Sequence, residues 1–233
     1  LDENSAGAGT YGGDFDFIWA NIQLFQSNDL VSAIRHPDYF TNRTPLLYVL
    51  HTLLNPFLSN PVEYRTSVFV FSIAGPFLFY LCLKNKFQNQ DNILLLLIAS
   101  TICLSPYYRT SAYWGLEENY ALVSLLLSFL FLNYFLKNTD QIGYKIYLQL
   151  FLTTLFSSSC LYFDQKFIIV PIICFFKIIF SKKKIEFKLL SIVSYLILSL
   201  PFIYLVISWS GVIAPRTAEI NPNSITTFDR LGK

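Results

Sequence analysis

Long apolar runs alternate with short polar breaks along this chain. Six runs, at about residues 66–83, 93–108, 119–136, 146–163, 167–181 and 188–208, approach the ~20 apolar residues that a helix needs to cross a hydrocarbon core. The breaks read "KNKFQNQDN", "RTSAYWGLEEN", "KNTDQIGYK", "DQK" and "SKKKIEFK". Nearer the start, "DFDFIWANIQLFQSNDL" is amphipathic, and "TPLLYVLHTLLNPFL" is apolar but ends early at Asn55 and Pro56. Both predict helices lying along a membrane interface rather than across it. The expected fold class is therefore all-α: a polytopic membrane protein with about six transmembrane helices plus interfacial helices in the first outer loop. Residues 1–65 form that loop, 66–208 the bundle, and 209–233 the start of another outer loop. The topology calls for a span just before Leu1, so the chain reads as a piece of a longer protein.

Composition agrees with this pattern. Of 233 residues, 54% are hydrophobic and 14% charged, against roughly 25% charged in soluble domains. A net charge of +2 offers no basic footprint for nucleic acid. Charge placement says more. Lys84, Lys86, Lys137, Lys145, Lys182, Lys183, Lys184 and Lys188 fall in alternate connections, which the excess of positive charge in cytoplasmic loops marks as cytoplasmic. The opposite side then holds every arginine and twelve of the fifteen acidic residues. Trp19, Trp114 and Trp209 come out at the outer water boundary, where indole rings prefer to sit. Counting 45–58 as a span would turn the lysines outward, against the same rule. The expected location is a bacterial inner membrane with the site periplasmic, the endoplasmic reticulum being the alternative. Cys82, Cys103, Cys160 and Cys174 all sit in apolar runs without metal or disulfide spacing and read as packing residues.

With that orientation, carboxylates gather on one side in two clusters: Asp14 and Asp16 in "GGDFDFIW", Glu117 and Glu118 in "GLEENY". Either cluster alone reads as loop decoration, but carboxylates beside hydrocarbon are costly unless paired or working. Asp164 and Lys166 in "YFDQKF" are further site candidates, although a tight turn needs polar residues anyway. His36 could approach an acceptor cleft, whereas His51 reads as a packed residue, and Tyr107 and Tyr108 as interface aromatics. Asn42-Arg43-Thr44 fits a glycosylation acceptor but precedes a proline beside the membrane.

Laid end to end, "GGDFDFIWANIQLFQSNDL", "HPDYFTNRTPLLYVLHTLLNPF", "VEYRTSVFVFSIAGPFLFYLCL" and "LSPYYRTSAYWGLEENYAL" resemble the opening half of GT-C class glycosyltransferases. These include the protein O-mannosyltransferases and the aminoarabinose transferase of lipid A, and they take sugars from polyprenyl phosphate. The resemblance covers about residues 12–136. It implies that Asp14 is the catalytic base, with Asp16 as a near alternative, that Glu117 or Glu118 is the second-loop acid, and that Arg43 lies near the donor phosphate. The first motif reads Asp-Phe-Asp where many members have Asp-Glu, and the second Glu-Glu where Asp is common.

The chemistry is coherent without the resemblance. A polyprenyl phosphate leaves as a stable anion, so its departure needs positive charge rather than an acid. A guanidinium forks onto phosphate oxygens, which makes Arg43, Arg109 and Arg216 the donor phosphate-binding candidates. Arg109 is equally well read as an ion-pair partner of Glu117 or Glu118. A divalent metal such as Mg or Mn, held by the carboxylates, could share the role, and the metal question stays open. The acceptor hydroxyl, on a glycan, lipid or protein, needs a base. Attack opposite the leaving phosphate inverts the anomeric centre. The expected partners are thus a polyprenyl-phosphate-linked sugar donor, an acceptor and membrane lipids, with no nucleic acid. The rival is a transporter or flippase of a lipid-linked sugar without chemistry, which would place ionisable residues near the bilayer midplane; a second is a structural membrane subunit. The enzyme reading expects Asp14 and Glu117 or Glu118 to line one cavity.

Overall fold

A computed structural model describes residues 13–41, 43–137 and 143–220, and side chains through Thr217. Parts of the two expected outer segments, at 1–12 and 221–233, and the glycosylation motif's Asn42 lie outside the described residues. Among the described residues twelve α-helices run in the order α1 Asp14–Ser27, α2 Leu30–Ile34, α3 Leu46–Leu54, α4 Pro61–Ser72, α5 Ala74–Lys86, α6 Asn92–Ser100, α7 Pro106–Trp114, α8 Glu118–Lys137, α9 Tyr144–Phe163, α10 Ile169–Ile179, α11 Ile185–Trp209 and α12 Pro215–Ile220. The described chain is all-α, without a strand. Four stretches are long and apolar enough to cross a membrane: Pro61–Lys86, Glu118–Lys137, Tyr144–Phe163 and Ile185–Trp209. Their outward faces stay apolar, as Val70, Leu196 and Ile207 illustrate.

This count is lower than six for local reasons. The second expected run is broken: α6 passes through a 3₁₀ turn, Thr101–Leu104, and α7 departs at 66°. Pro106 forces the break, because the residue before a proline is pushed out of the helical region. Ser105 is extended, at ψ 120°, and caps α7 instead by accepting from Tyr108 N. Counting that bent pair as one span gives five. The fifth expected run yields a 3₁₀ turn, Gln165–Ile168, and the 11-residue α10, about 16 Å of helix.

Two prolines inside spans are accommodated by tyrosine hydroxyls. Pro76 cannot donate to the carbonyl of Ser72, and Tyr108 Oη donates to it instead. Asn119 ties the same corner, donating to Ser72 Oγ at 2.9 Å and to the Tyr108 carbonyl at 3.2 Å. Gly75 lets the ring in, since a Cβ there would stand 2.6 Å from Tyr108 Oη. In α11, beside Pro201, the Tyr162 hydroxyl inserts into the helical ladder: it accepts from Phe202 N at 3.1 Å and donates to the Leu198 carbonyl at 2.5 Å.

Helices α1 and α3, expected at an interface, lie over one end of the bundle. Ile18, Ile22 and Phe25 of α1 and Leu47 and Tyr48 of α3 share a core with Tyr64, Phe163 and Trp209 from the ends of α4, α9 and α11. After α11 the chain folds back: Thr217 Oγ1 accepts from Thr41 N and donates to the Thr41 carbonyl, both at 3.0 Å. Trp209 Nε1 donates to the Ile34 carbonyl at 3.1 Å. A second core, with Phe135, Ile146, Ile178 and Phe187, fills the lysine-bearing end. Cys160 and Cys174 are buried there as free thiols, while Cys103 is exposed.

Candidate functional site

Glu118 starts α8, with Glu117 just before it, because α7 ends at Trp114 and a short turn follows. Gly115 adopts the left-handed conformation, φ 70°, that terminates a helix at no steric cost. Tyr64 Oη donates to its carbonyl at 2.6 Å, and a Cβ at Gly115 would meet that ring at 2.8 Å. The turn sets Glu118 in the first turn of α8 and Glu117 just before it, where the helix dipole favours negative charge.

Both glutamates are buried, 2% and 5% exposed. Their counter-ion comes from 74 residues away: Arg43 donates through Nη1 to Glu117 Oε1 and through Nη2 to Glu118 Oε1, the latter at 2.8 Å. Ser111 Oγ donates to Glu118 Oε2 at 3.2 Å. Glu117 Oε2 is buried and has no hydrogen-bond partner among the described residues. Arg43 is itself held by the loop before α3, its amide donating to Thr41 Oγ1 at 3.1 Å, while Thr44 Oγ1 donates to the Tyr162 carbonyl at the end of α9.

Asp14 meets this cluster. It lines a cavity of about 170 Å³ with Thr41, Arg43, Tyr48 and Glu117, walled on the apolar side by Phe17 and Phe40, whose rings stand 4.8 Å apart. Burial holds the Tyr48 hydroxyl above the ordinary tyrosine range, so it remains neutral. Asp14 is exposed and makes no hydrogen bond or ion pair with the described residues. Counting Asp14, Glu117 and Glu118 against Arg43, the cavity and its wall carry a formal −2. Such a site suits hydroxyl or amine donors, and a phosphate entering it must draw Arg43 away from a glutamate.

The other predicted site residues divide. Asp16 sits on the exposed side of α1, away from the cavity lining. Arg109 is half-buried in α7 and does not line the cavity; the ion pairs of Glu117 and Glu118 are with Arg43. Arg216 pairs with Asp38 at the surface rather than joining Arg43. Asp164 is buried at the α9–α10 turn, accepting from Lys166 N at 3.0 Å with Lys166 Nζ 3.5 Å away. Tyr107, read from sequence as an interface aromatic, interacts electrostatically with Glu118, Asp164 and Arg43. Thr41, Tyr48 and Tyr107 were missed because hydroxyl residues carry no local signal until the fold brings them together. Among the described residues no three carboxylates, histidines or cysteines stand together as a cation site.

An apolar groove of about 670 Å³ opens between α3, α4, α8 and α9, lined by Leu50, Phe71, Leu127 and Phe156 among others. Its lining also includes Leu46, Tyr120 and Phe163, neighbours in sequence of Arg43, Glu118 and Asp164. His51 contributes a buried imidazole; Asn55 Nδ2 donates to its Nδ1 at 2.9 Å, and burial lowers it to about 4, so it is neutral. No family model, curated protein or solved structure matches this chain.

Proposed function

We propose that this chain is part of a membrane glycosyltransferase that moves a sugar from a polyprenyl-phosphate carrier to an acceptor hydroxyl, with Asp14 as the base. The observation that carries the reading is the cavity shared by Asp14, Arg43 and Glu117, fed by three separate segments, in a bundle that also carries an apolar groove. Asp14 suits the base because a base must be unengaged, and the glutamates are already held by Arg43. In the reaction the bond from the anomeric carbon to the phosphate oxygen breaks, the acceptor oxygen bonds to that carbon, and its proton passes to Asp14. The electron pair leaves with the polyprenyl phosphate. Glu117 and Glu118 fix Arg43, and Glu117 Oε2 is open to a sugar hydroxyl. The isoprenoid tail suits the groove, where an apolar chain leaves water without asking for hydrogen bonds. Arg43 reaches the phosphate by exchanging one glutamate for it, while Arg109 and Arg216 take no part. The location proposed with it is the periplasmic face of a bacterial inner membrane.

The test uses the complete protein in liposomes with a polyprenyl-phosphate-linked sugar, measuring release of polyprenyl phosphate. Asp14→Asn should lower turnover about 10²–10⁴-fold while insertion and thermal unfolding stay unchanged. Undiminished turnover in that variant removes Asp14 as base. Donor movement across the bilayer without release would instead favour a flippase.

A further inference from the structure

We propose that the lysine-rich end of the bundle carries a site for the phosphoryl headgroup of an acidic membrane phospholipid, formed by Lys84, Asn85, Gln88 and Tyr134. With Leu81 these residues line a cavity of about 450 Å³ at the ends of α5 and α8. It lies at the opposite end of α8 from Glu118 and does not rest on the transfer reaction.

Asn85 is the deciding residue. It is 9% exposed, and Lys137 Nζ donates to both its backbone carbonyl and its Oδ1. An ammonium only donates, so this contact fixes which amide atom is oxygen and leaves Nδ2 as the donor. Nδ2 is buried and has no hydrogen-bond partner among the described residues, a costly state that an acceptor in the cavity would relieve. Of the residues lining the cavity the one charged side chain, Lys84, is cationic, and the Gln88 amide and Tyr134 hydroxyl add further donors.

Two helix C-termini point at the same place, each equivalent to about −0.5 charge. Lys84, Lys86 and Lys137 outweigh them and Asp91 together, leaving roughly +1. Asp91, in the adjoining turn, is turned toward its own helix, accepting from Ile93 N and Leu94 N. A lipid fits better than free phosphate because the wall continues as hydrocarbon: Leu81 lines the cavity and Phe77, one turn back along α5, is exposed. Headgroups collect at this depth beside lysine-bearing loops.

The experiment titrates the purified chain in detergent with phosphatidylglycerol or phosphatidylcholine and counts retained lipid by native mass spectrometry. Phosphatidylglycerol should bind preferentially. Lys84→Ala, at an exposed position that folding does not need, should weaken it about fivefold. Asn85→Asp keeps an oxygen for Lys137 but removes the donor, and should weaken binding about tenfold or more. Lys145→Ala, outside the cavity, should change nothing. Equal weakening by Lys145→Ala would reveal diffuse surface attraction and overturn the site. So would unchanged binding in Lys84→Ala and Asn85→Asp, or displacement of the lipid by inorganic phosphate at the same concentration.

Discussion

Arg43, at the acidic end of the bundle, spans 74 residues to reach Glu117, whereas Lys137, at the other end, holds only the carbonyl and side-chain amide of Asn85. At the acidic end an ion network is drawn out of water and must be complete, because each buried charge depends on its partner. At the lysine end most charges stay in water and meet neutral dipoles, so each contributes little alone and the group acts through its summed field. The contrast explains how one bundle keeps a polar cavity between helices at one end and a solvated collar at the other.

The sharpest way to break this comparison is Arg43→Leu. It leaves Glu117 and Glu118 buried without a counter-ion and should cost about 3–5 kcal/mol, read as a large drop in the detergent unfolding midpoint. A loss below ~1 kcal/mol, the scale of exposed pairs, would place the network in water after all. Next in size is acid sensitivity from His51, whose folded value near 4 lies below its ordinary 6.5. Both states are neutral above pH 6.5. Below it the unfolded chain takes up the proton first, so stability falls between pH 6.5 and 4, by up to about 3 kcal/mol. His51→Gln should flatten unfolding midpoints across that window; an unaltered slope assigns the loss to other groups. The smallest effect belongs to Arg216→Ala. Its partner Asp38 and Arg216 itself are largely exposed, so unfolding should shift by less than ~1 kcal/mol. A shift as large as that of Arg43→Leu would mean the acidic end extends over the surface.

Much of the helical framework was legible because helix-length apolar runs leave a periodic trace. The boundaries of α8, α9 and α11 lie within three residues of those runs. The broken second run was harder to read: "LSPYY" carries the pre-proline signal, but only the fold shows a 66° turn there. At the candidate site, Asp14, Glu117, Glu118 and Arg43 were all visible as charged residues on the expected outer side. Their pairing was not. Arg109 is eight residues from Glu117 and Arg43 is 74 away, yet Arg43 holds the acid. Asn85 and Tyr107 look ordinary in sequence, and their importance arises only from neighbours on other helices.

By itself the sequence determined an all-helical, membrane-type chain and a separation of its acids and arginines from most of its lysines, since transfer free energy and helix period act on each segment locally. Only the tertiary structure decided which opposite charges meet, where prolines are tolerated and which hydroxyls line the cavity. Those outcomes depend on desolvation and hydrogen bonding between segments far apart in the chain, and on distances of a few ångströms that no local pattern encodes.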